Sequence, residues 1–471
     1  MRIWPMALML LLAVQTPQKA IHLEAEDGRL VGVHVATTRK GYSGSGYVTG
    51  FDHDGARIVF TVPARAGIYE ARIRYGSPFG EKGYALTVNG TSFSGMFPYT
   101  GDTFAVHSAG KVELKDGVNV LTIEKGWGYF DIDSLDLLPA AAPPPPRRTP
   151  VTLSDPQATA RARALMAFLV SRYGKDMLSG QYSIEDCNYV RAVTGKTPAI
   201  LGGDFMDYSP SRIAHGAKPD GTTEQLIAAA KAGQIVTLSW HWNAPKDLLD
   251  KTYKDAQGHE VDARWYKGFN TNATTFDLRA ALADSNSEDY RLLLRDMDAI
   301  AAQLKKFAVA NIPVLWRPLH EADGGWFWWG AKGPEAFKTL WRLMYERFTK
   351  AHGLHNLVWV CNSVRPDWYP GDAYVDIVGI DAYPAPSDPL SGTWEALQRQ
   401  FDGRKLLAIT EFGGAPDVEK MRRFGAAWSY FVSWSGELGA RKLTKTDLIR
   451  IYRSRAVLNR HDVESALRIS R

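Results

Sequence analysis

Eight short apolar runs, each about the length of a buried strand, recur between residues 177 and 434 with helix-patterned stretches between most of them. That alternation restricts the chain to a parallel α/β architecture. The predicted strands are Met177–Gln181, Pro198–Asp204, Gln234–Trp240, Ile312–Leu319, Asn356–Asn362, Val375–Asp381, Lys405–Glu411 and Tyr430–Trp434. Eight such units over about 300 residues predict a (β/α)8 barrel. The link from Ser363 to Tyr374 is too short for a full helix, and a long connection from Asn243 to about Asp284 follows the third strand.

Two of these runs stop at a carboxylate. Glu321 follows the fourth and Glu411 ends the seventh. Strands of a parallel barrel all point the same way, so side chains at their carboxyl ends share one mouth. Around Glu321 stand Arg317, His320, Trp326, Phe327, Trp328 and Trp329. So many rings beside charged groups point to a sugar cleft. A pair of carboxyl groups suits glycosidic cleavage, in which one protonates the departing oxygen and the other attacks or activates water. The apolar wall beside Glu321 favours a protonated acid.

Other chemistries lack their residues. A zinc helix built on His320-Glu321 would need histidine where Gly324 stands, Gly195-Lys196-Thr197 lacks the upstream glycine of a phosphate loop, and no Gly-x-Ser-x-Gly elbow occurs. A net charge of +5 over 56 basic and 51 acidic residues does not suit a nucleic-acid binder. The basic residues of Arg441 to Arg471 alternate with acids and predict a solvated helix face. Two cysteines, Cys187 and Cys361, are too few for a disulfide framework and are expected as buried free thiols, with one bridge between them the alternative.

Upstream of the barrel the texture is different. Residues 1–20 carry Arg2 and a short apolar core and predict a secretory signal peptide, with no membrane span elsewhere. Residues 21–139 show period-two runs separated by turn signals such as Asn89-Gly90 and Asp116-Gly117, which predict an antiparallel, jelly-roll-like sandwich. Residues 140–152 include four consecutive prolines and predict a semi-rigid linker. The barrel domain then occupies 153–471, with its first helix expected near Asp155-Pro156.

The motifs Trp316-Arg317-Pro318, His320-Glu321, Gly325 to Gly330, Asp381-Ala382-Tyr383 and Thr410-Glu411-Phe412-Gly413 resemble glycoside hydrolase family 26, chiefly retaining endo-β-1,4-mannanases. The resemblance implies Glu321 as acid/base, Glu411 as nucleophile, and no cofactor for catalysis. It places His320, Trp326, Tyr383, His241, Trp434 and Arg317 among the substrate-binding residues. The sandwich resembles carbohydrate-binding module family 35 through Glu24-Ala25-Glu26 and Tyr129 to Ser134. That implies a structural Ca2+ on Glu24, Glu26 and Asp133, and ligand contacts from Trp127 and Tyr129. The expectation is a secreted, monomeric enzyme acting on β-mannan. The same chemistry on β-1,3-xylan or mixed-linkage β-glucan, or a non-catalytic carbohydrate-binding role, are the alternatives.

Overall fold

The computed structural model describes residues 19–141, 143–219, 221–384 and 388–467, so the expected signal peptide lies almost wholly outside the described residues. The chain divides into two compact units, one ending at Ala142 and the other beginning at Pro143.

In the first unit, alternation decides which face of each strand is buried. Arg57–Ala64 buries Ile58, Phe60 and Val62 and leaves the residues between them more exposed, as a sheet with one wet face requires. It lies in a sheet ordered Arg29–Val31, Arg57–Ala64, Gly117–Lys125, Lys82–Val88, Thr91–Phe97. The facing sheet runs His34–Ala36, Tyr47–Thr49, Asp131–Pro139, Gly67–Gly76, Ala105–Leu114, with Ile21–Glu24 also paired to Asp131–Pro139. Their apolar faces share one core, including Ile73, Leu86, Leu121 and Leu135. The Asp131–Pro139 pairing slips between Ile132 and Ser134, so Asp133 is the extra residue of a bulge.

In the second unit a closed parallel barrel is formed by Gly180–Tyr182, Ile200–Asp204, Ile235–Ser239, Val314–Arg317, Leu357–Cys361, Ile377–Ala382, Leu406–Phe412 and Phe431–Ser433. Alternate strand residues fall into two clusters. Val314, Trp316, Leu357, Trp359 and Leu407 pack with the surrounding helices, including Met297, Ile300 and Leu304 of Glu288–Val309 and Phe337 and Leu340 of Pro334–Glu346. Leu315, Val358, Ile377, Leu406 and Ala408 group with Leu165, Met166 and Leu169 of the helix Ala160–Arg172.

Three expectations need correction. The predicted first strand breaks at Ser179: Met177–Leu178 pairs instead with Val457–Leu458, and only Gly180–Tyr182 enters the barrel. Asp155 does not cap the first helix, which starts at Ala160 behind Thr159; its carboxylate is taken by His355 Nδ1 at 2.8 Å and Gln157 N at 2.9 Å. The proline run packs on the barrel unit, where Gln398 Nε2 donates to Pro144 O at 3.2 Å and Arg147 N to Asp402 Oδ1 at 2.7 Å. The carboxyl-terminal segment keeps Arg441, Lys442, Lys445 and Arg450 exposed, the expected solvated face, and buries Leu448, Ile451, Tyr452 and Val457. Both cysteines are free and buried.

Candidate active site

Arg317 is the last residue of the fourth barrel strand and is fully buried. Beyond it the backbone adopts left-handed φ at Leu319 (50°) and again at Glu321 (52°). Strain of this kind, on residues other than glycine, persists only where the surroundings enforce it. Here Trp329 Nε1 donates to His320 O at 2.8 Å, Ala322 N to Ser363 Oγ at 3.1 Å, and Trp328 Nε1 to Trp242 O at 2.6 Å. The aromatic motif is therefore mostly internal bracing. Phe327, Trp328 and Trp329 are buried, and only Trp326, 50% exposed, faces the cleft. Its Nε1 donates to Glu321 Oε2 at 2.9 Å. The ring lies over Gly324, where any Cβ would stand 2.1 Å from it.

Glu411 lies near the end of the seventh strand and is almost completely buried. Its Oε1 accepts from Arg317 Nη2 and its Oε2 from Tyr383 Oη at 2.8 Å. Tyr383 reaches it because residue 413 is glycine, whose missing Cβ would fall 2.8 Å from the tyrosine ring. Arg317 also donates to Asp381 Oδ2 at 2.6 Å and to Tyr182 Oη at 3.0 Å. Asn362 Nδ2 and Thr410 Oγ1 complete the Asp381 shell. Arg317 thus lies beneath the carboxylates, and its expected place among the sugar-contacting residues is corrected. With no solvent-facing atom, it holds three strand ends together.

Oxygens of Glu321, Glu411 and Asp381 lie within 4.8 Å of one another. Such a trio of acids resembles a cation site, but the Arg317 guanidinium already supplies the positive charge. Burial, then the Asp381 charge, raises the Glu321 carboxyl above its usual range, with Trp326 and Arg317 opposing. Burial and Asp381 also push Glu411 upward, and Arg317 and His241 pull it back. Its ionisation therefore depends on its cationic neighbours.

His241 and His320 meet at 3.2 Å through their Nε2 atoms. His241 lies against Phe269 and Phe327, and the Trp434 ring packs on Tyr182 at 4.7 Å and near His241 at 6.1 Å. Tyr383 is 47% exposed, whereas His320 is buried. The structure thus brings Glu321, Glu411, His320, Trp326, Tyr383, His241 and Trp434 to one end of the barrel. Asp381, Asn362, Tyr182 and Asp204 also belong there and had been given no role from sequence. For Asp204 and Asp381 a signal existed, since each closes a predicted strand with a carboxylate.

In the amino-terminal module, Glu24 and Glu26 both lie against Gly44. Glu26 Oε1 accepts from Ser45 N at 2.6 Å and Gly46 N at 3.1 Å, while its Oε2 is buried without a hydrogen-bond partner. Asp133 is engaged by Arg74 Nη1 and by Ser43 Oγ at 2.9 Å, and Ser43 Oγ also lies 2.8 Å from Glu24 Oε2. Trp127 and Tyr129 are both more than half exposed. Phe79 (72%) and Tyr99 (65%) are exposed on two neighbouring loops of the same sandwich end, tied by Ser77 N donating to Thr100 Oγ1 at 2.8 Å.

Comparison with known proteins gives a consistent pattern. A family model described as glycosyl hydrolase family 26 matches residues 154–462, and one described as carbohydrate binding module (family 35) matches 21–140. A mannan endo-1,4-beta-mannosidase of Thermothelomyces thermophilus is 44% identical over 90% of this chain and 86% of its own. Mannan endo-1,4-beta-mannosidase A of Piromyces sp. is 32% identical over 97% of this chain and 75% of its own. A crystal structure of a Podospora anserina GH26-CBM35 beta-(1,4)-mannanase aligns with a TM-score of 0.70 at 41% identity, covering 95% of this chain and 99% of that one.

Proposed function

The chain belongs to glycosyl hydrolase family 26, and we propose that it is a secreted, retaining endo-β-1,4-mannanase in which Glu411 is the nucleophile and Glu321 the acid/base. The observation that carries the reading is the close approach of the two carboxyl groups, one oxygen of each lying no more than 4.8 Å from the other. Retaining pairs stand about 5–5.5 Å apart, whereas inverting pairs leave about 6.5–9.5 Å for a water molecule. The unequal surroundings support the division of roles. Glu411 accepts from Arg317 and Tyr383, which favour the charged form. Glu321 has one indole donor, and burial and the Asp381 charge raise it, which suits a carboxyl that must hold a proton.

A Glu411 oxygen attacks C1 of the mannosyl unit while Glu321 gives its proton to the glycosidic oxygen. The C1–O bond breaks and a glycosyl ester forms on Glu411. Glu321, now ionised, takes a proton from water. The water oxygen bonds to C1, the ester bond breaks, and Glu411 leaves as carboxylate with configuration retained. Trp326, His320, His241, Tyr383 and Trp434 line the place where the sugar would lie. The module, through Trp127 and Tyr129, would keep the barrel near polysaccharide and raise the local substrate concentration. Secretion rests on the signal-like residues 1–20; among the described residues no helix is long and apolar enough to cross a membrane. The test is reducing-sugar release from mannan, galactomannan, β-1,3-xylan and lichenan. Release confined to the mannans is expected; release from another glycan alone would refute the mannanase assignment.

The unpartnered Glu26 Oε2 beside Glu24 supports a structural Ca2+, which takes oxygen ligands. Asp133 would join it only by sharing its carboxylate with Arg74. Calcium at ~100 times its dissociation constant would stabilise the module by about 2.7 kcal/mol, raising its melting temperature by roughly 10 °C. EGTA should reverse the gain, and a melt indifferent to both would remove the ion.

A further inference from the structure

Asp204 ends the second barrel strand and has no part in the bond-breaking steps described above. Four donors converge on its carboxylate. Met206 N (2.7 Å) and His241 N (3.0 Å) reach Oδ1, and Ser239 Oγ (2.6 Å) and His241 Nδ1 (2.6 Å) reach Oδ2. A carboxylate filled this way carries no proton of its own, so the hydrogen on this contact sits on His241 Nδ1. The other nitrogen, Nε2, faces His320 Nε2 at 3.2 Å. Only two protonation patterns make that contact a hydrogen bond. Either His241 is an imidazolium donating to a neutral His320, or a neutral His241 accepts from His320.

The surroundings favour the first. The His241 and Asp204 side chains are 11% and 19% exposed, so solvent does little to dilute their attraction. Asp204 offers its full charge to one ring, while His320 is buried among Phe327 and Trp329, with no carboxylate hydrogen-bonded to it among the described residues. The charged groups bearing on His241 are Asp204, Glu411 and Arg317, and its charge also reaches Glu321, which it pulls downward less than burial and Asp381 push it up; His320 is in contact, and the rings of Phe269, Phe327 and Trp434 pack against it. Those bearing on Glu411 are Arg317, Asp381, His241 and Glu321, with Tyr383 donating to it.

We propose that Asp204 is a positioning residue that holds His241 as an imidazolium, so that a second fixed positive charge, beside that of Arg317, keeps Glu411 ionised for attack. The imidazolium also fixes the His320 tautomer, leaving its proton on Nδ1, a buried atom with no hydrogen-bond partner among the described residues. Consistent with this, the charge and hydrogen bond of Asp204 outweigh burial at His241 and raise its pKa, while burial and the His241 charge lower that of His320.

The proposal rests on Glu411 being the nucleophile, but its first test does not need activity. In the resting wild-type chain labelled with 15N-histidine, the His241 signals, assigned by their loss in His241→Gln, should show both nitrogens protonated near pH 6 and titrate above an ordinary histidine. A His241 ring carrying a single proton near pH 6 would overturn the proposal. The second test is the pH profile of kcat/KM in Asp204→Asn. Losing the imidazolium should move the acid limb to higher pH by roughly one unit. If His241 were neutral in the wild type, removing the Asp204 charge would move that limb to lower pH; that result, or an unmoved limb, contradicts the assignment. Absence of hydrolysis in the wild type would refute the enzyme reading and leave the spectrum to decide the histidine pair.

Discussion

Glu411→Ala is expected to lower kcat on mannan by about 10^5-fold. At 1.36 kcal/mol per decade this is a barrier increase of about 7 kcal/mol. The attacking oxygen is gone, and the reaction is left with direct attack by a water molecule that nothing in the site orients. The shortened side chain also takes an acceptor from Arg317, which keeps Asp381 and Tyr182. Glu411→Gln preserves the volume and an acceptor oxygen, so it separates lost chemistry from lost folding. If it is inactive while melting near wild type, the loss is chemical. A Glu411→Ala enzyme within about tenfold of wild type would remove Glu411 from the nucleophile's role.

The second large effect is expected at the other carboxylate. Glu321→Ala should reduce hydrolysis of polysaccharide by about 10^3-fold, within the usual range for a general acid/base. The loss should depend on the leaving group. A sugar alkoxide departs only if protonated, so its release suffers in full. A dinitrophenolate departs without a proton, so glycosylation of Glu411 by an aryl β-mannobioside should persist. Its hydrolysis would then lack the base. Equal losses on both substrates would assign Glu321 a structural role instead, for example in holding Trp326 through its 2.9 Å bond.

The parts of the molecule that could be read from sequence are those decided locally. Apolar runs such as Leu406–Phe412 and Leu357–Cys361 identified themselves because both faces of a barrel strand are buried. Both glutamates stood out because they interrupt or follow such runs. Where a distant partner decided the outcome, local reading failed. Asp155 looked like a cap until His355, 200 positions away, took its carboxylate. The first strand broke at Ser179 because Met177–Leu178 pairs with Val457–Leu458 near the other end of the chain.

The site divides along the same line. Tryptophans 328 and 329 suggested a sugar platform, yet their indole N–H groups are spent on the carbonyls of Trp242 and His320. Arg317 looked like a sugar ligand from its place in the motif. Its direction is set by Tyr182, Asp381 and Glu411, which come from the first, sixth and seventh strands. Asp204 was passed over because its significance lies in His241, one strand away.

In the proposed reaction Glu411 becomes covalently bound to the sugar, with Glu321 serving both halves. Intact-mass measurement of Glu321→Ala after brief exposure to the dinitrophenyl β-mannobioside tests it directly. The protein should become heavier by one mannobiosyl group, with the adduct on the peptide carrying Glu411. Free mannobiose released with no adduct at any time, and in the α configuration, would contradict it.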